Sequence, residues 1–331
     1  MNHEGEETIR QEEVISETRE EERKVVFTGP MGNGRPLTYS TEVSPVERER
    51  EKVNFTVPTI LFFLTVLTTL LAGTFQEGGN PLRTPADLVK GIPFSLTLMS
   101  ILFFHEMGHY LTSKYYGVET TPPYFIPGPW FPFGIGTFGA FIRMKSPIYK
   151  KDALLDIGAA GPIAGFIVSI LAVAIGLQSS KIVEMQTGGA LLRLGDPLIF
   201  TGIASLLGKT PPAGYDIALN SVAFAGWIGF FVTSLNLLPI GQLDGGHIAY
   251  ALLGPKQRYV SIGMIFILFV LGTKGWPGWF VWAVLTTFLG VRHPPTVDEA
   301  SPLTLRLQLM GWGSLLLFIL TFMPVPFLVG P

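Results

Sequence analysis

The sequence predicts an all-α polytopic membrane protein, and three observations support this prediction. Charged residues make up only 15% of the 331-residue chain, against about 25% in soluble globular proteins. Hydrophobic residues make up 48%, and the mean hydropathy is +0.42. Apolar runs recur from residue 55 onward, several of them near the length of about 20 residues that crosses a bilayer as a helix. These features exclude an ordinary soluble enzyme, and the net charge of −2 gives no support for nucleic-acid binding.

The first 54 residues differ in composition from the rest of the chain. Residues 1–52 contain 13 Glu and 8 Lys or Arg residues, with weak apolar periodicity. This pattern is typical of a solvated, largely disordered tail with at most one short helix. A regulatory tail is the alternative to a plain solvated extension. The acidic stretch precedes the first apolar run, which fits neither a signal peptide nor a transit peptide.

Seven apolar runs are each expected to form a membrane-spanning helix. They lie near residues 56–75, 93–113, 154–178, 217–239, 258–273, 276–291 and 309–329. The fifth and sixth runs are short, and the glycines and proline between them predict a tight hairpin. Residues 191–208 are moderately apolar but carry charged residues, which favours an interfacial helix. The predicted organisation is a tail (1–54), a membrane core (55–255) and C-terminal transmembrane helices (256–331).

Basic residues predict which side of the membrane each loop faces. With the N-terminus in the cytoplasm, cytoplasmic loops contain twelve Lys or Arg residues and outer loops contain six. Because cytoplasmic loops are usually richer in these residues, we expect a cytoplasmic N-terminus. The expected location is a bacterial inner or plasma membrane, with an organelle membrane as the alternative.

The second run ends in a His-Glu-x-x-His motif, from His105 to His109. On a helix the two histidines lie one turn apart on the same side, as two ligands of one metal ion must. Glu106 lies between them, where its carboxylate can reach a water molecule without binding the metal. Zinc in hydrolytic sites lowers the pKa of water to about 7, and such a glutamate then acts as the general base. A hydrogen-bonded packing cluster is the alternative, but ionisable groups inside a span cost roughly 2.5–3.5 kcal/mol each and are functional by default.

A catalytic zinc ion usually has three protein ligands, so a third is expected elsewhere in the chain. The chain has no cysteine, which excludes thiolate ligands and disulfides. Asp244 is the best candidate, because it follows the fourth run on a stretch where Pro239 and Gly241 must interrupt the helix. The second and fourth runs both point toward the cytoplasm, so their ends can meet at one depth. The alternative is a polar turn that leaves the bilayer.

Together these motifs resemble the site-2 protease family of intramembrane zinc metalloproteases. The resemblance rests on His105-Glu-x-x-His109, Asn236-x-x-Pro239 and Leu243-Asp244-Gly245, which occur in the family's order. The stretches GTFGAFIRMKS (136–146) and DIGAAGPIAG (156–165) are similar to the plastid and bacterial branch of that family. The resemblance covers roughly residues 55–255.

The resemblance implies one Zn²⁺ per chain, held by His105, His109 and Asp244, with Glu106 as the catalytic base. It also implies a three-helix catalytic core that holds the zinc near the cytosolic side of the membrane. The segment between the third and fourth runs has only about 38 residues, too short for the PDZ domain of some relatives.

Three further polar residues have two interpretations each. Asn236 could donate a hydrogen bond to the scissile carbonyl or cap the interrupted helix. His247 could contact a metal ligand and orient it, although a hydrated residue at the membrane interface is the favoured interpretation. Asp156, near the start of the third run, could have a metal or catalytic role, but stabilisation of the dipole of its helix is favoured. The small residues after it, from Gly158 to Gly165, predict close packing of the third helix beside the histidine helix.

Residues 121–139 combine five prolines and four glycines with aromatic residues. This composition excludes a helix and predicts an irregular loop or short hairpin anchored at the membrane interface. The stretch that follows, residues 137–144, could form a strand whose free edge pairs with an unwound substrate. A bare interfacial hairpin is the alternative.

The sequence thus predicts an intramembrane zinc metalloprotease that cleaves in or near the transmembrane segment of another membrane protein. A metal-ion transporter would need further acidic or histidine residues along its spans, and the first, sixth and seventh runs have no acidic residue. An inactive relative that binds membrane partners is the third hypothesis.

Overall fold

The computed structural model describes residues 24–28, 38–42, 54–130, 134–185 and 192–329. The chain divides into two units, residues 1–52 and 53–331. In the first unit, β1 (Lys24–Thr28) pairs antiparallel with β2 (Thr38–Glu42). Two paired strands therefore occupy part of a tail for which the sequence suggested at most a short helix. The prediction of disorder for the remaining residues of the tail falls outside the described residues.

The second unit is built mainly from nine α-helices within the described residues. They are α1 (Thr56–Gln76), α2 (Ile92–Tyr115), α3 (Lys151–Ser179), α4 (Leu198–Leu206), α5 (Ser221–Asn236), α6 (Asp244–Leu253), α7 (Gln257–Lys274), α8 (Gly278–Leu289) and α9 (Leu305–Thr321). A helix falls on each of the seven apolar runs, and α4 falls on the predicted interfacial segment. The additional helix, α6, begins at Asp244 itself.

Three helical segments are long and apolar enough to cross a membrane. They are Thr56–Gln76, Pro85–Tyr115, which includes a 3₁₀ turn before α2, and Lys151–Ser179. The helices Ser221–Asn236, Gly278–Leu289 and Leu305–Thr321 are apolar but shorter. A mostly helical membrane protein is therefore confirmed, whereas the number of seven spans stays a prediction.

Helices α2, α3 and α5 pack around one hydrophobic core. Buried side chains from all three helices meet there, with Phe94 and Leu98 from α2, Val173 from α3, and Trp227 and Phe230 from α5. Small residues permit the close contact of α3 and α5. A Cβ atom on Gly176 would lie 2.3 Å from the backbone nitrogen of Ala223.

The remaining strands form short two-stranded sheets. β3 (Tyr124–Pro127) pairs antiparallel with β4 (Thr137–Phe141), with a register irregularity between Ile126 and Pro127 at the end of β3. β5 (Lys181–Glu184) pairs with β7 (Tyr215–Ala218), and β6 (Leu192–Leu194) pairs with β8 (Phe327–Val329). The proline- and glycine-rich stretch is thus a hairpin where the structure describes it. Its loop is fixed to α1, because the hydroxyl of Thr68 donates to the carbonyl of Gly136 over 2.6 Å.

The break between α5 and α6 is a compact turn. The N–H of Leu243 donates to the carbonyl of Ile240, and Gly241 has a φ of +53°. A Cβ atom on Gly241 would lie 2.0 Å from the carbonyl oxygen of Gly290. Glycine is required here by the left-handed backbone conformation and by the nearby backbone of Gly290. The turn places Asp244 at the first residue of α6.

The substitution Gly176→Ala tests the contact between α3 and α5. We expect the free energy of unfolding to fall by about 1–3 kcal/mol, because the added methyl group would overlap backbone atoms of α5. Gly263→Ala in α7 is the matched control, since nothing lies within 4 Å of its Cβ position and alanine favours a helix by about 1 kcal/mol. Thermal unfolding in detergent is the measurement, and equal unfolding temperatures for the two variants would contradict the close contact.

Candidate metal centre

Two histidines of α2 and one aspartate of α6 meet in the interior. The Nε2 atoms of His105 and His109 lie 3.2 Å apart. One oxygen of Asp244, Oδ2, lies 3.4 Å from His105 Nε2 and 3.3 Å from His109 Nε2. The structure thus brings together the three residues that the sequence marks as metal ligands.

The three residues suit a divalent metal by their chemistry and their position. Two imidazole nitrogens and one carboxylate oxygen are a ligand set found in hydrolytic zinc sites. His105 is 5% exposed and His109 6% exposed, and the three ligand atoms lie within 4.8 Å of one another. Within the described ranges, no other group of three His, Asp or Glu residues comes this close together. These residues therefore fit a single bound zinc ion.

A backbone carbonyl sets the tautomer of His109. Its Nδ1 lies 2.7 Å from the carbonyl oxygen of Ile157 in α3. Because a carbonyl can only accept, Nδ1 must carry the proton, and in the neutral ring the lone pair then lies on Nε2. Nε2 is the atom that faces His105 and Asp244, as a metal ligand must.

Glycines on α3 make room for the histidines. A Cβ atom on Gly161 would lie 2.1 Å from His109 Nε2, and one on Gly165 would lie 3.2 Å from His105 Nδ1. One turn earlier than Gly161, a Cβ atom on Gly158 would lie 2.9 Å from the Cβ of His247. The small residues that the sequence assigned to helix packing therefore face the site histidines.

Glu106 lies beside the three candidate ligands but is not one of them. Its side chain is 3% exposed, and its carboxylate accepts a hydrogen bond from the backbone N–H of Ile142, just after β4. Glu106 and His105 both line a cavity of about 520 Å³. The glutamate is thus oriented by the strand segment and faces open space beside the candidate ligands.

That cavity is mainly apolar. Most of its walls come from α1, α2, β4 and α5, with Trp282 of α8 and Phe327 of β8 completing the lining, and it extends from Glu106 to Phe224 and Trp227. Residues 137–140 of β4 form one side, where Phe138 is 74% exposed. Within the described residues β4 pairs only with β3. A cavity of this shape can receive an extended apolar chain next to a carboxylate.

Three residues with open interpretations now have defined partners. Asn236 ends α5, and its Nδ2 lies 3.1 Å from His105 Nε2. His247 is half-buried and hydrogen-bonds through Nδ1 to His293 Nε2 over 2.6 Å. Asp156 accepts a hydrogen bond from the hydroxyl of Tyr116. Sequence reasoning did not identify the Ile157 carbonyl or the Ile142 N–H, since backbone groups carry no sequence signal.

Comparisons with known proteins agree with this site. The sequence profile of peptidase family M50 matches residues 93–271 of the chain. The chain is 32% identical over 247 residues to the "probable zinc metalloprotease EGY2, chloroplastic" of Arabidopsis thaliana, covering 73% of this chain and 43% of that protein. It is 29% identical over 304 residues to EGY1 of the same plant, also named a probable chloroplastic zinc metalloprotease, covering 82% and 53%. The chain thus spans about half or less of these relatives, and no solved structure matches it.

Gly161→Ala tests the arrangement of α3 and His109. We expect the added methyl group to displace the imidazole and to lower zinc affinity at least about tenfold, the lower end for changes around a ligand. Gly313→Ala in α9 is the control, because its Cβ position has nothing within 4 Å. Metal content per chain, measured on both purified variants, is the readout. Full zinc occupancy in Gly161→Ala under chelator competition would contradict the arrangement.

Proposed function

The chain belongs to peptidase family M50, and from this premise we propose that it is an intramembrane zinc metalloprotease. Its substrates are other membrane proteins, cleaved in or near their transmembrane segments. The observation that carries the proposal is the convergence of His105, His109 and Asp244 beside Glu106, at the edge of an apolar cavity. Cleavage by such an enzyme is the hydrolytic step of regulated intramembrane proteolysis.

In this proposal each site residue has one role. His105, His109 and Asp244 hold the zinc ion, which, when bound, supplies a Lewis acid that polarises water and the substrate carbonyl. Glu106 takes the proton of the attacking water and later returns it to the leaving amine. Its burial beside the cavity and the nearby Ile142 N–H support this role, because the carboxylate then borders the space that an extended substrate would enter.

Asn236 is proposed as a catalytic donor to the scissile carbonyl. Its amide nitrogen is within hydrogen-bond distance of His105 Nε2, the atom assigned to the metal. A zinc ion at Nε2 would occupy that lone pair, and the amide would be free to donate to a substrate oxygen. A donor placed in this way contributes about 2.7–4 kcal/mol to transition-state stabilisation in other hydrolases.

The free edge of β4 is proposed as the platform for the substrate. A transmembrane helix keeps its peptide bonds within its own hydrogen-bonding pattern, so the scissile segment must be extended before water can attack. β4 lines the cavity beside Glu106 and has one edge that no described strand pairs with. Strand addition would satisfy the backbone of the extended substrate inside an apolar site.

The membrane arrangement is proposed to have seven spans with a cytoplasmic N-terminus. The positions of α1, α2, α3, α5, α7, α8 and α9 on the seven apolar runs support this count. α2, α3 and α5 form the three-helix catalytic core, with the zinc near the cytosolic side. We propose a bacterial inner or plasma membrane as the location, and we note that the plant relatives are named chloroplastic.

Glu106→Gln separates the base from the ligands. We expect this variant to keep about one zinc ion per chain and to lose cleavage, because the amide cannot accept the proton. His105→Ala, His109→Ala and Asp244→Ala should lose the metal as well as the activity. Metal content and cleavage of detergent-solubilised single-span membrane proteins, followed by mass spectrometry, are the measurements.

Glu119→Gln is the control for these variants, since this exposed glutamate lies outside the site. It should bind zinc and cleave as the natural chain does. Wild-type cleavage by Glu106→Gln, or zinc binding that is indifferent to Asp244→Ala, would contradict the assigned roles.

A cysteine cross-link tests the substrate platform. The chain contains no cysteine, so Phe138→Cys in the Glu106→Gln background introduces a single thiol on β4. We expect it to form disulfides with single-cysteine substrates at alternate positions of the extended segment, because alternate side chains of a strand lie on one face. Tyr124→Cys on β3 is the matched control, and equal yields from both positions would contradict pairing at β4.

A further inference from the structure

Beyond the ligands and the base, one polar contact joins the end of α2 to the start of α3. Tyr116 directly follows α2, and its hydroxyl donates to Oδ2 of Asp156 in the second turn of α3. Tyr116 lies seven residues after His109, on nearly the same face of the helix. Side chains lean toward the N-terminus of their helix, so Tyr116 points back along α2 and Asp156 points toward the start of α3.

The same turn of α3 also contacts His109, the proposed metal ligand in α2. Ile157, the residue after Asp156, provides the carbonyl that accepts from Nδ1 of His109. Two adjacent residues of α3 therefore hold the end of α2. Ile157 contacts His109 in the helix, and Asp156 contacts Tyr116 directly after it. Any displacement of this turn would change both contacts together.

This turn of α3 is weakly held by its own helix. Pro162 has no N–H, so the carbonyl of Gly158 loses its helical donor, and the proline ring crowds that carbonyl. Gly158 and Gly161 add backbone freedom at the same place. Yet neither glycine can be replaced without contact to His247 or His109. The segment that must hold Ile157 in place therefore needs support from outside the helix.

The Tyr116 hydroxyl, which donates this hydrogen bond, stays protonated at neutral pH. Burial, together with the hydrogen bond to Asp156, raises the pKa of the Tyr116 hydroxyl above its ordinary value. Tyr116 therefore keeps its proton well beyond neutral pH and remains a donor.

We propose that Tyr116 and Asp156 are positioning residues of the metal centre. Their hydrogen bond fixes the second turn of α3 against the end of α2, and so holds the Ile157 carbonyl on His109. The inference rests on the proposed function, since it requires His109 to be a metal ligand. It gives Asp156 a role different from the helix-dipole interaction that its position in the sequence suggests.

The experiment compares Tyr116→Phe, Asp156→Asn and the double variant in the full chain. Zinc affinity is measured by competition with a chelator, and unfolding temperatures are measured with zinc and after its removal. We expect each single variant to lose zinc affinity by about 3–10-fold, at or below the lower end for direct partners of a ligand. The double variant should lose no more than Tyr116→Phe alone, because an amide oxygen can still accept, so Asp156→Asn weakens the same interaction that Tyr116→Phe removes.

Two neighbouring residues provide matched controls. Tyr115→Phe removes the hydroxyl of an adjacent tyrosine that is 83% exposed. Asp152→Asn removes a carboxylate one turn earlier in α3, in the first turn where the helix dipole is strongest. Both controls should bind zinc within about twofold of the natural chain. A loss in Asp152→Asn equal to that in Asp156→Asn would show a charge effect and overturn the proposal.

The remaining outcomes also decide the question. Natural affinity in Tyr116→Phe and Asp156→Asn, with or without a lower unfolding temperature, would show that the contact only stabilises the fold. Additive losses in the double variant would show that the two residues act separately. Absence of zinc from the natural chain would overturn the proposed function and this inference together, whereas the other failures leave the proposed function intact.

Discussion

The burial of three ionisable side chains among apolar helices is the constraint on which the rest of this structure depends. Each such group costs roughly 2.5–3.5 kcal/mol in a membrane span unless it has partners. His105, His109 and Asp244 lie within hydrogen-bonding or ion-pair distance of one another. His109 also donates to a backbone carbonyl. A bound metal ion would complete the neutralisation of the carboxylate, so the same interaction serves both stability and chemistry.

Close contact of the helices follows from that constraint. Two histidines of α2 can face α3 only if α3 has no side chains at those positions, and Gly161 and Gly165 meet this need. Small residues also bring helices together in membranes, where no hydrophobic force acts between them. Gly161 and Gly165 therefore have two functions, because they make room for the histidines and let α2 and α3 come together, whereas Gly176 serves the contact with α5.

The β3–β4 hairpin connects the buried site to the open cavity. Its Ile142 end orients Glu106, its loop is fixed to α1 by Thr68, and its cavity side presents a strand edge. Such irregular backbone is tolerated at membrane depth where it is covered by protein or lines a cavity. Under the proposed function, a site that accepts extended backbone gains from a strand that supplies hydrogen-bonding groups beside Glu106.

The sequence alone determined the helical class, the positions of eight of the nine described helices and the residues of the candidate metal centre. Apolar length sets helix position, and the spacing of His105 and His109 places them on one side of any helix. Only the tertiary structure decided the partners: the Ile157 carbonyl for His109, the Ile142 N–H for Glu106 and Tyr116 for Asp156. It also showed that Asp244 begins a helix of its own. The physical reason is that backbone groups are the same at every residue, and contacts between distant segments depend on how the helices pack.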